Sequence, residues 1–245
     1  MSEPTDFVFL HGGAQGGWVW DETIAALRQQ STGDVGRTLA LDIPGCGAKR
    51  GRPTDDLGFD EIAAELVADI AAAGLSDAVL VGHSQAGSML PRLLERRPDL
   101  FRQVIYLSCL APLAGQTVMN WRDSTDRDRA ADLAPPPADE LRKLAHAAFC
   151  SDMTPEQKQT FIAKLGKDAW PPSSYAANDW RYDHLDATPA SYFICLRDAI
   201  FSLAWQETFA ERLKAERRVR LDAGHQVMNS RPQALAEALR HSAQA

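Results

Sequence analysis

The stretch Ala78-Val79-Leu80-Val81-Gly82-His83-Ser84-Gln85-Ala86-Gly87 constrains this chain more than any other. Four apolar residues, two of them β-branched, read as a buried strand that runs without a spacer into Gly82. A helix follows to about Arg97, where Pro98 blocks its continuation. A chain passing from strand to helix through one serine folds back on itself, so the residues two before and two after that serine must be small. Gly82 and Ala86 meet that need. Such an elbow lifts the Ser84 hydroxyl above the sheet and leaves the Gln85 backbone N–H free to bind an oxyanion. The bare pattern also describes a serine-bearing turn without chemistry. The strand before it and the helix after it favour a nucleophile.

The same alternation recurs along the chain. Phe7 to Leu10 is a short apolar run entering His11-Gly12-Gly13, and Thr38 to Leu41 is a second, closed by Asp42-Ile43-Pro44-Gly45. Val104 to Leu107, Ser191 to Leu196 and Val219 to Leu221 complete six expected strands. Helical spacing appears over Asp21 to Gln30, Phe59 to Ala73 and roughly Pro232 to His241. Strands alternating with helices predict an α/β fold, a doubly wound and mostly parallel six-stranded sheet with helices on both faces. The expected strand order is 2-1-3-4-5-6, which opens a ligand crevice between the His11-Gly12-Gly13 loop and the Ser84 elbow.

Between the fourth and fifth expected strands the rhythm breaks, because the connection far exceeds one crossover helix. It holds Pro135-Pro136-Pro137, expected helices over 138–149 and 155–165, and Trp170-Pro171-Pro172. It also carries Trp121, Phe149, Phe161, Trp170, Tyr175, Trp180 and Tyr182. We read residues 112–188 as a helical cap inserted into a core made of 1–111 and 189–245. Its aromatics either line a pocket for an apolar substrate or fasten the cap to the sheet, and the sequence leaves both open.

Composition removes several function classes. A formal charge of −7 gives no global electrostatic reason to bind nucleic acid or an anionic membrane. Met1 to Asp6 lacks the positive start of a signal peptide, and no run approaches the roughly 20 apolar residues that span a bilayer. The cytoplasm is the expected compartment. Cys46, Cys109, Cys150 and Cys195 stand singly, without the paired spacing of a zinc or redox site, so free buried thiols are expected. Neither a metal nor a cofactor is expected.

A serine nucleophile needs a base and an acid to orient it. His225 lies in Leu221-Asp222-Ala223-Gly224-His225, directly after the last strand, the place for the base in the chain order Ser…Asp…His. The other histidines have plainer roles: His11 and His83 flank glycine turns, His146 is on a cap helix, His184 in a polar loop and His241 in the tail. Asp198 follows the fifth strand at the same sheet edge and is the expected acid. Asp222, three residues from His225, is placed to solvate the turn, and the fourth strand ends in Ser108-Cys109 without a carboxylate. Gly13 is the candidate for the second oxyanion donor, since its backbone can approach a substrate with no side chain intervening.

Together these residues resemble the α/β-hydrolase superfamily, and within it the small branch of plant-type methylesterases and hydroxynitrile lyases. His11-Gly12-Gly13-Ala14-Gln15-Gly16-Gly17-Trp18 is similar to that branch's H-G-x-x-H-G-x-W opening, with Gln15 in place of the second histidine. Leu41-Asp42-Ile43-Pro44-Gly45-Cys46-Gly47 is similar to its D-x-P-G-x-G turn, and Cys195-Leu196-Arg197-Asp198 and Gly224-His225 match its acid and base. The resemblance implies a cofactor-free serine hydrolase with Ser84, Asp198 and His225 as triad and the Gly13 and Gln85 N–H groups as oxyanion hole. The implied partner is a small-molecule carboxylic ester with a bulky apolar or aromatic part; a homodimer is compatible with the sequence. A lactone, thioester, amide or C–C bond stays open as substrate, as do a lyase and a non-catalytic receptor. In the lyases of this branch a lysine follows the histidine, where this chain has Gln226.

Overall fold

Strands β1 (Thr5–Leu10), β2 (Val35–Leu41), β3 (Ala78–His83), β4 (Phe101–Leu107), β5 (Ala190–Cys195) and β6 (Arg217–Leu221) form one sheet. They appear in a computed structural model that describes residues 3–121, 143 and 146–244. The strand order is β2-β1-β3-β4-β5-β6 and every pairing is parallel, which matches the expected order and class. Leu10 pairs with Gly82, His83 with Leu107 and Cys195 with Leu221, so the carboxyl ends of the strands share one edge. The helices are α1 (Asp21–Gln30), α2 (Phe59–Ala72), α3 (Leu90–Arg96), α4 (Pro155–Lys164), the one-turn α5 (Ser173–Ala176), α6 (Leu203–Arg212), the one-turn α7 (Val227–Ser230) and α8 (Pro232–Ala243).

The two-residue period of each strand divides the core. Phe7, Phe9, Val79, Val81, Ile105, Leu107 and Phe193 face α1 and α8, whose Leu27, Leu235 and Leu239 cover them. The alternate residues Val8, Leu10, Leu80, Val104, Tyr106 and Tyr192 face α2, α3 and α6. Burial on both faces is why the central strands read as unbroken apolar runs.

The differences from expectation lie mostly at the ends of elements. β2, β4 and β6 begin two to three residues early, at Val35, Phe101 and Arg217, because their first turns carry Arg37, Arg102, Arg217 and Arg218 on the sheet's exposed margin. α8 runs to Ala243, which puts His241 in its last turn instead of a tail. The expected helix over 138–149 falls largely outside the described residues, although 146–149 are helical. The four cysteines are buried and unpaired, as expected. Among the described residues no helix is long and apolar enough to cross a membrane.

Contacts from the long connection reach loops at the carboxyl edge of the sheet. The Asp168 carboxylate accepts hydrogen bonds from Trp18 Nε1 (2.9 Å), Gly47 N (2.8 Å) and Arg50, and Trp170 Nε1 donates to Gly12 O at 3.0 Å. These contacts support the division into core and cap, which we propose on that ground.

Candidate active site

β3 ends at His83 and the chain turns at Ser84, whose φ of +54° is left-handed backbone that a non-glycine residue adopts only under constraint. A 3₁₀ turn over Ser84–Ser88 then leads into α3. A methyl group on Gly82 would lie 2.5 Å from Leu90 Cδ1 and 3.0 Å from Ala86 Cβ, so the elbow admits one methyl there and Ala86 supplies it. Gly87, which has no assigned role in the elbow pattern above, is the tighter position. A Cβ there would meet Leu110 O at 2.1 Å, because the exit of β4 runs against the elbow.

His225 Nε2 lies 3.0 Å from Ser84 Oγ, and His225 Nδ1 lies 2.7 Å from Asp198 Oδ2. Both imidazole and carboxylate side chains are fully buried. The sequence-expected nucleophile, base and acid therefore come from the ends of β3, β6 and β5 into one hydrogen-bonded line. Asp198 Oδ1 accepts from Ile200 N (2.6 Å) and Phe201 N (2.9 Å), and Oδ2 also accepts from Ser108 Oγ at 2.5 Å. Burial pushes the Asp198 carboxyl up. The charge and hydrogen bond of His225, with the Ser108 hydroxyl and the Phe201 N–H, more than offset this and hold it at about 2. The carboxylate is thus an anion across the neutral range. Asp222, the rival acid, is 76% exposed and pairs with Arg197 Nε at 2.8 Å.

The flanking histidines serve the backbone. Ile43 N donates to His11 Nε2 (3.2 Å), so the His11 proton is on Nδ1 and donates to Gly12 O at 2.8 Å. Burial, and then the nearby His225, push His83 well below the ordinary histidine value. Its neutral ring donates Nε2–H to His225 O at 3.0 Å and ties the elbow to the His225 loop. Gly13 lies against the elbow: a Cβ on it would sit 2.4 Å from Gln85 Oε1. The left-handed residue of that loop is its neighbour Ala14, at φ +58°.

A cavity of about 590 Å³ opens over Ser84, with Gly13 and Gln85 on one wall. Leu110, Val118, Trp121, Phe149, Ile200 and Phe201 make its apolar walls, with Tyr175 and Asn120 as polar groups. No charged side chain is among the described residues that line it. The aromatics of the long connection divide between the two roles left open above. Trp121, Phe149 and Tyr175 line the cavity, whereas Trp170, Phe161 and Trp180 fasten to the core through a hydrogen bond to Gly12 O and ring contacts with Trp18 and Phe59, and Tyr182 donates to Pro112 O within the cap.

Two residues that sequence reasoning missed adjoin the site. One is Ser108; the other is Asp152, whose Oδ2 accepts from Gly224 N (2.8 Å) and Ser230 Oγ (3.0 Å), directly beside the histidine. Arg231 Nε lies 3.6 Å from the same oxygen, so this cation turns toward Asp152.

The family model for alpha/beta hydrolases matches residues 7–238. The chain belongs to the alpha/beta hydrolase family. Among its relatives, a probable esterase of rice (Oryza sativa subsp. indica), PIR7A, is 36% identical over 111 residues, 45% of this chain and 41% of that protein. A carbendazim hydrolyzing esterase from a Nocardioides species is 29% identical over 114 residues, 46% of each chain. The matched stretch thus spans less than half the length of these relatives. Solved structures align along nearly the whole chain. An extracellular alpha/beta-hydrolase from a Paenibacillus species matches with TM-score 0.76 and 21% identity, covering 96% of this chain and 98% of that one. A pyrethroid hydrolase from Sphingobium faniae matches with TM-score 0.74 and 23% identity, covering 98% of each. At these identities the structural likeness shows the fold.

Proposed function

We propose that this protein is a serine esterase that hydrolyses a carboxylic ester through an acyl-enzyme on Ser84. The observation that carries the reading is the line Ser84 Oγ–His225–Asp198, with contacts of 3.0 and 2.7 Å. His225 Nε2 takes the Ser84 proton as Oγ attacks the ester carbonyl, and the oxyanion forms between the Gly13 and Gln85 N–H groups. Each such donor typically lowers the barrier by about 3 kcal/mol. The C–O bond to the alcohol then breaks, and the departing alkoxide takes the proton from His225. A water molecule next gives its proton to His225 and attacks the acyl carbonyl, releasing the acid and returning the proton to Ser84. Asp198 stays ionised and holds the Nδ1–H tautomer throughout.

The cavity's composition bears on the substrate. Apolar and aromatic walls, with no charged side chain among the described residues that line them, favour a neutral ester with a bulky apolar or aromatic part. The relatives named as esterases support an ester as substrate. A panel of p-nitrophenyl and methyl esters, run beside lactones and amides, tests the reading. The expected outcome is ester turnover that Ser84→Ala reduces by about 10⁶-fold while the fold persists. More than a few per cent of activity left in clean Ser84→Ala protein contradicts it.

A further inference from the structure

The exit of β4 at Ser108 is the least expected part of the site. Position 108 offers no carboxylate, yet its hydroxyl donates to Asp198 Oδ2, the same oxygen that takes the proton of His225 Nδ1. Ser108 is fully buried, and its backbone has φ +41°. At a left-handed position glycine is the undemanding residue, because any Cβ crowds the following carbonyl. A serine held there against that preference is a strained residue beside a functional site, and its hydroxyl supplies the reason for its presence.

The surroundings pin it in place. Ser108 N donates to Phe193 O at 3.0 Å, Cys109 Sγ to Gly82 O at 3.1 Å, and Leu110 N to Ser84 O at 3.1 Å. Residues 108–110 therefore strap the nucleophile's elbow to the acid's strand. With Ile200 N and Phe201 N on Oδ1, the Asp198 carboxylate accepts four hydrogen bonds. Ser108 is the side-chain donor that fixes Oδ2 opposite the imidazole. Without it, Oδ2 keeps only the bond to His225, one lone pair of a buried anion goes unpaired, and the oxygen facing the imidazole is less firmly held.

We propose that Ser108 is a positioning residue for the Asp198–His225 pair, and that serine occupies this strained backbone position for its hydroxyl. The proposal rests on the esterase reading above. Ser108→Gly separates the two properties, since it relieves the backbone and removes the hydroxyl. Ser108→Ala keeps the backbone strain and removes the hydroxyl alone, so it carries the test if the glycine variant is unstable. With p-nitrophenyl butyrate as probe, both variants lose kcat by about 10- to 100-fold, the span of one hydrogen bond to a charged group. KM moves by less than about threefold, as expected when substrate binding is untouched. The rate of labelling by a fluorophosphonate falls in parallel, and the thermal midpoint of Ser108→Gly is at or above that of Ser108→Ala. Parental kcat and labelling in Ser108→Gly overturn the proposal, and a lowered midpoint with parental kcat shows a purely structural residue. Ser84→Ala is run alongside to separate the two claims. If it still turns over, the esterase reading falls and this proposal with it; if it is dead while Ser108→Gly is fully active, the Ser108 proposal falls alone.

Discussion

Replacing Asp198 by asparagine tests the site's electrostatics with almost no change of shape. Asp198 Oδ1 accepts from two backbone N–H groups, of Ile200 and Phe201, and these donors cannot reverse. The asparagine carbonyl must therefore face them, which turns the new NH₂ toward His225 Nδ1, now 2.7 Å from Oδ2. An amide N–H aimed at Nδ1 requires a lone pair there, so the imidazole proton moves to Nε2. Nε2 then donates to Ser84 Oγ across the 3.0 Å contact instead of accepting its proton. The base is lost although every atom stays near its place. The expected cost is about 10⁴-fold in kcat, roughly 5 kcal/mol of barrier. Asp222→Asn provides the matched control. It alters only an exposed pair with Arg197, of a kind worth under about 1 kcal/mol, so kcat should stay within about threefold. Steady-state hydrolysis of a p-nitrophenyl ester, with circular dichroism to confirm the fold, measures both. An Asp198→Asn enzyme within tenfold of the parent, or Asp222→Asn as the more damaged variant, refutes the reasoning.

Two further outcomes are expected. Asp152→Ala leaves the Gly224 N–H without its acceptor beside the histidine, so urea titration should show a loss of about 2 kcal/mol together with reduced kcat; an unchanged midpoint and kcat would sink the assignment. Mandelonitrile should release negligible cyanide beside ester turnover from the same enzyme stock, because Gln226 is neutral and no lysine or arginine is among the described cavity residues. Cyanide release comparable to ester turnover would reject that account and point to a cation reaching the site.

The order of the sheet was legible because each central strand is buried on both faces and so appears as an apolar run. The outer starts were not, since Arg217 and Arg218 open β6 where one margin meets solvent. Helix α6 escaped for a different reason. Gln206 occupies a fully buried position on it, breaking the apolar spacing, and its amide closes on Cys195 N, Cys195 O and Phe201 O. A polar side chain that replaces backbone partners looks like surface in a sequence. Within the site, Ser84, His225 and Asp198 each directly follow or nearly follow a strand, so topology alone brings them to one edge. Ser108 gave no such signal, because its role depends on a backbone angle and on a contact to a residue far along the chain. Asp152 belongs to the long connection, whose docking on Gly224 has no periodic trace. The cap aromatics were likewise undecidable from composition, as a tryptophan that fastens and one that lines a cavity carry the same letter.

The central claim is that Ser84 is a nucleophile activated by His225. Its most direct measurement is intact-mass spectrometry after incubation with a fluorophosphonate, followed by peptide mapping of the adduct. The account predicts one adduct per chain, located on Ser84, absent in Ser84→Ala and strongly slowed in Asp198→Asn. An unlabelled parent protein, or an adduct that persists in Ser84→Ala, would contradict it.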